Sequence, residues 1–125
     1  MKLAFCTDIH LNHLKPAAAR EFLVSIAAAK PDAIVSCGDM SEAPDLSTHL
    51  GWAAQILDGV PFYYVLGNHD FYRESIRVVR ASFLGPAKCQ RYLTHAGPPP
   101  LPPSATLLRA TGWSDEEYGN WTRAL

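Results

Sequence analysis

Three apolar, β-prone runs stand out in the first half of the chain. They are Leu3-Ala4-Phe5-Cys6-Thr7, Ala33-Ile34-Val35-Ser36-Cys37 and Phe62-Tyr63-Tyr64-Val65-Leu66. Each is short and continuous rather than alternating, the pattern of a strand buried on both faces. Between the runs, apolar positions recur at helical spacing. Residues 16–30 place Ala19, Phe22, Leu23, Ile26 and Ala27 on one stripe, with Pro16 suited to a first turn and Pro31 as a stop. A second stripe is Leu46, Leu50, Ala53, Ala54 and Leu57, with Asp45 as the predicted cap and Gly59 where the helix ends. A third helix is predicted over 73–84, with Ile76, Val79 and Phe83 inward and Gly85-Pro86 as its breaker.

The first 85 residues therefore read as a threefold succession of strand, loop and helix. That order implies an α/β fold with a mostly parallel sheet covered on both faces. Right-handed crossovers bring the carboxyl ends of the three strands to one edge, where open α/β sheets bind ligands. Residues 86–125 are less regular. Short strands are expected at 91–93 and 105–108. Pro98, Pro99, Pro100, Pro102 and Pro103 enforce an extended loop poor in backbone donors. The stretch 112–121 is aromatic and acidic; its Trp113 and Trp121 are expected to form an exposed patch that favours self-association.

Composition narrows the class. A chain of 125 residues suits one small domain, and 48% apolar against 18% charged residues excludes global disorder. Net charge is −1 with no basic stripe, which argues against nucleic acid or a membrane surface as partner. No apolar stretch approaches the ~20 residues that span a bilayer, and Met1 leads into a strand without a leader pattern. The three cysteines, Cys6, Cys37 and Cys89, form no Cys-x-x-Cys pair. They read as small apolar fillers, and that usage fits a reducing, cytoplasmic compartment.

The chemistry lies where the strands end. Asp8-Ile9-His10, Gly38-Asp39 and Gly67-Asn68-His69-Asp70 each follow one of the three runs. Singly, Asp8 and Asp39 read equally well as turn caps. As a set they bring oxygen and imidazole donors to one sheet edge, a mixture suited to Mn, Fe or Zn. Asp8 and His10 can hold one cation, Asp39 can bridge two, and the Asn68 amide oxygen can serve the second. Two cations clamp a phosphate and turn a water into a nucleophile. His69 can donate a proton to a leaving-group oxygen, with Asp70 orienting its imidazole. His13, outside the clusters, reads as a loop histidine, and His49 as structural or exposed. A dinucleotide-binding alternative fails because the first turn, Thr7-Asp8-Ile9-His10, has no Gly-x-Gly-x-x-Gly.

The ordered set of Asp-x-His, Gly-Asp and Gly-Asn-His-Asp, roughly 30 residues apart, resembles the calcineurin-like metallophosphoesterases. The resemblance covers residues 1 to about 85 closely and reaches more weakly to Trp113. It implies the parallel-sheet half of an α/β/β/α sandwich, truncated here, as the N-terminal portion of a phosphoesterase domain. It also implies a dinuclear divalent-metal centre and a phosphate-ester substrate, either a monoester or a diester. Asp8, His10, Asp39 and Asn68 match metal ligands; His69 matches the histidine that meets the phosphate, and Asp70 its partner. The family's later histidine and Gly-His-x-His motif have no counterpart after His69, where only His95 remains. The alternative expectation is a truncated or degenerate, inactive domain that binds metal weakly.

Overall fold

The computed structural model describes residues 1–82 and 90–92. Its strands are β1 (Leu3–Cys6), β2 (Ala33–Cys37), β3 (Phe62–Val65) and β4 (Gln90–Tyr92). Its helices are α1 (Pro16–Ala28), α2 (Ala43–Ile56) and α3 (Ile76–Ser82), with single 3-10 turns at Leu11–His13 and His69–Phe71. The expectations for 105–108, the proline loop, Phe83, Gly85-Pro86, Cys89, His95, Trp113 and Trp121 fall outside the described residues. No described helix is long and apolar enough to cross a membrane.

The sheet order is β1-β2-β3-β4, and every adjacent pair is parallel. A parallel sheet that adds strands in one direction through crossovers of one hand puts every crossover helix on the same face. Packing agrees. Ala19 and Leu23 of α1, Leu46, Leu50 and Ala53 of α2, and Val79 of α3 share one core with Ile34, Phe62 and Tyr64. The opposite face carries Ala33 and Tyr63, with Val65 against them.

The structure bears out two-sided cover for β2 and β3, whose Ala33, Val35 and Tyr63 are buried on the face opposite the described helices. It corrects the reading of β1 as fully buried, because Phe5 is 67% exposed and Leu3 45% exposed. The continuous apolar run concealed an edge strand with a bare face. The cysteines are corrected in the same way: Cys6 is half-buried at that edge, and Cys37 is exposed at the strand's end.

The helical stripes follow the sequence pattern more closely. Asp45, however, does not cap α2. The helix begins at Ala43 with Glu42 in the capping position, because Pro44 fits the first turn and needs no donor there. Asp45 lies in that first turn, where a carboxylate favours the positive end of the helix dipole. The third helix starts at Ile76 rather than 73; the Arg73 backbone is left-handed, at φ 70°, and cannot continue a helix.

Candidate metal centre

Residues just past β1, β2 and β3 meet at one sheet edge, and backbone hydrogen bonds lock them together. The Asp8 amide donates to the Gly38 carbonyl at 3.1 Å, and the His10 amide to the Asp39 carbonyl at 3.0 Å. Ladder pairing thus continues beyond the strands, although the backbone no longer is extended. Asp8, His10 and Asp39 all take left-handed φ values, of 51°, 42° and 52°. Asp and His are among the few side chains that tolerate this region, and such departures concentrate at functional sites. The pleat breaks here, so Asp8 and His10 are not held to opposite sides.

Two glycines permit the close approach of β2 and β3. A Cβ on Gly38 would lie 2.8 Å from the Gly67 backbone. A Cβ on Gly67 would lie 2.8 Å from the Asp39 amide nitrogen and would collide with that residue's Oδ1. With both Cβ atoms absent, the His69 amide donates to Asp39 Oδ1 at 2.9 Å.

Ligand atoms of His10, Asp39 and His69 lie within 4.8 Å of one another. The His10 and His69 rings meet edge to face, with centroids 4.7 Å apart. Nδ1 of each ring is buried and has no hydrogen-bond partner. Leaving a buried polar atom unpaired costs about 1–3 kcal/mol. Imidazole and carboxylate are donor types that a divalent cation takes, so His10 and Asp39 fit such an ion, with the His69 ring within reach of what it holds.

The other sequence candidates fall differently. Asp8 is exposed, and its Oδ2 accepts from the neighbouring Thr7 hydroxyl. It is not part of the three-residue group. Asn68 precedes His69 and donates from Nδ2 to the Tyr72 hydroxyl at 3.0 Å. His13 is exposed, with its ring 5.5 Å from that of His10.

Asp70 corrects the expected pair. Its carboxylate does not meet the His69 ring. It is fully buried and accepts from the Asp39 and Gly67 amides through Oδ2, each at 2.8 Å, and from the Ser41 amide through Oδ1 at 3.0 Å. Burial pushes this carboxyl above its ordinary range; the Ser41, Gly67 and Asp39 amides pull it back, and the nearby Asp39 charge adds to the rise. Asp70 is therefore the clasp between the ends of β2 and β3. Its sequence neighbour His69 points elsewhere because the two are successive residues of one 3-10 turn, which sends their side chains about 120° apart.

Sequence reasoning missed Ser41 and Tyr72. Ser41 is fully buried; its amide meets Asp70 and its hydroxyl meets His49 Nδ1 at 2.8 Å. Tyr72 stacks on His69 with centroids 4.3 Å apart. The available signal was spacing: Tyr72 follows Asn68 by one turn, so the two can meet wherever the chain coils there.

A family model for calcineurin-like phosphoesterases matches residues 1–115. The chain belongs to that family. No curated protein and no solved structure matches it. Membership accounts for the order of the clusters, and a metal-dependent phosphoesterase is the activity the family suggests. The mixed α/β fold with its parallel sheet agrees.

Proposed function

We propose that this calcineurin-like chain is a metal-dependent hydrolase of phosphomonoesters or phosphodiesters. The observation that carries the reading is the meeting of His10 and Asp39 at one sheet edge, with the His69 imidazole close enough to reach a group held between them. Asp8, His10, Asp39 and Asn68 hold divalent cations of the Mn, Fe or Zn type in a dinuclear centre. Bound there, the cations supply positive charge beside phosphoryl oxygens and acidify a water.

The chain's own groups divide the remaining work. Asp39 commits Oδ1 to the His69 amide, which fixes the carboxylate and leaves Oδ2 for a cation. His69, half-buried at the edge, protonates the leaving-group oxygen. Asp70 is a positioning residue: it holds the Asp39 and Gly67 amides and thereby sets the distance between the two clusters.

The test combines metal stoichiometry after Mn²⁺ loading with hydrolysis of a chromogenic phosphodiester by the same sample. Asp39→Asn is expected to weaken all metal binding. His69→Ala is expected to retain metal and lose turnover by about 10²–10⁴-fold, the usual worth of a general acid. Equal metal loss in the His69 variant would reassign that imidazole as a ligand. The second reading is a domain that binds one cation weakly and turns nothing over. It is favoured by the finding of a single three-residue ligand group among the described residues. One ion or fewer per chain, with no hydrolysis, would select it.

A further inference from the structure

Tyr72 lies outside the three clusters, yet it touches two members of the last one. Its hydroxyl accepts a hydrogen bond from Asn68 Nδ2 at 3.0 Å. Its ring lies against the His69 ring, tilted by 37° with centroids 4.3 Å apart. The residue is itself anchored at both ends of its backbone: its amide donates to the His69 carbonyl at 3.0 Å, and its carbonyl accepts from the Ala43 amide, at the start of α2, at 3.3 Å. The residue is nevertheless 43% exposed. A tyrosine held this way is more than filler, because core packing would hide the ring.

We infer that Tyr72 is a positioning residue that fixes which atom of the Asn68 amide faces a bound cation. The inference rests on the proposed role of Asn68 as a ligand. An amide has one oxygen that can bind a cation and one nitrogen that cannot, and the two ends have nearly the same shape. Rotation by half a turn would replace the ligand with an NH₂ group. A hydroxyl that accepts from Nδ2 holds the nitrogen away and leaves Oδ1 as the free end. The proton on the Tyr72 oxygen remains available to another acceptor, so the hydroxyl is not forced to donate to Oδ1. Outer partners that orient a ligand in this way are commonly worth 10–100-fold in metal affinity. The stacked ring limits the motion of His69 at the same time, independently of the hydroxyl.

The experiment is a double-mutant cycle on the full chain, read by calorimetric titration with Mn²⁺ alone. Tyr72→Phe keeps the ring on His69 and removes only the hydroxyl. It is expected to weaken Mn²⁺ binding about tenfold, with an unchanged near-ultraviolet circular dichroism spectrum. Asn68→Asp supplies two equivalent oxygens, so its orientation no longer matters. In that background Tyr72→Phe is expected to change affinity by less than about twofold. A tenfold loss that persists in the Asn68→Asp background would mean that the hydroxyl acts some other way, and would overturn the inference. So would Mn²⁺ affinity in Tyr72→Phe that equals the parent's. If the parent binds Mn²⁺ and Asn68→Ala binds it equally well, the ligand role of Asn68 fails first, and the Tyr72 inference falls with it. Those arms separate failure of the positioning role from failure of the site on which it rests.

Discussion

Asp70 shows how much one buried side chain holds in place. Its two oxygens accept three backbone amides, from Asp39, Ser41 and Gly67, and the residue has no exposed surface. Each of those amides sits where the chain has just left a strand and lacks a ladder partner. Asp70→Asn keeps the shape but replaces one acceptor with a donor. At least one amide then faces an NH₂ group, and the expected loss of stability is about 1–3 kcal/mol, read from urea unfolding. An unchanged midpoint would mean that the clasp is dispensable. The sequence made Asp39, His10 and His69 visible as candidates, because donor types at strand ends carry chemistry wherever they converge. It could not show what Asp70 addresses. A carboxylate beside an imidazole in sequence reads as its partner, and only the 3-10 turn at His69–Phe71 separates them in space.

At the scale of elements, α2 is tied to the end of β2 by more than its apolar stripe. His49 lies on the helix among Leu46, Leu50 and Ala53, only 6% exposed, and its Nδ1 meets the Ser41 hydroxyl at 2.8 Å. Trp52 covers the other side, its ring 5.0 Å from the imidazole and beneath the Arg20 guanidinium of α1 at 4.5 Å. Burial pushes His49 below its ordinary value of 6.5, and the Asp45 charge opposes the shift only in part. Between the lowered folded value and the unfolded one, the folded chain binds fewer protons than the unfolded chain. Stability from this group is therefore full above pH 6.5 and falls as pH drops through that value towards the folded one. The expected outcome is a melting temperature that declines on acidification below pH 6.5, with a shallower decline in His49→Gln. Equal slopes in both proteins would remove His49 from the account. The stripe on α2 was legible because helical periodicity survives any context. The histidine was not, since only its buried hydroxyl partner makes an imidazole tolerable in an apolar face.

Across the described residues, helices pack on one face of the sheet and the strand ends gather at one edge. The hydrophobic runs could not distinguish an edge strand from an inner one, because both read as continuous apolar stretches. Phe5 and Val35 are register partners on neighbouring strands, yet Phe5 on the edge strand is 67% exposed and Val35 only 7%. The edge, by contrast, follows from connectivity alone, and it is where binding and folding meet. The site draws its residues from beyond β1, β2 and β3, and its atoms come together only when all three strands are paired. An unfolded chain cannot assemble such a site, so a cation that binds there must favour the folded state. For one site the gain is about 2.7 kcal/mol at a hundredfold excess over Kd, which in a domain of this size raises the melting temperature by roughly 10 °C. The expected pattern is a melting temperature that climbs with the logarithm of Mn²⁺ concentration and returns to its starting value with chelator. Asp39→Asn should abolish the climb while leaving the metal-free melt close to the parent's, because the retained amide oxygen can still accept from the His69 amide. An Mn²⁺-dependent climb undiminished in that variant would place the cation elsewhere on the molecule, and would separate the sheet edge from the chemistry assigned to it.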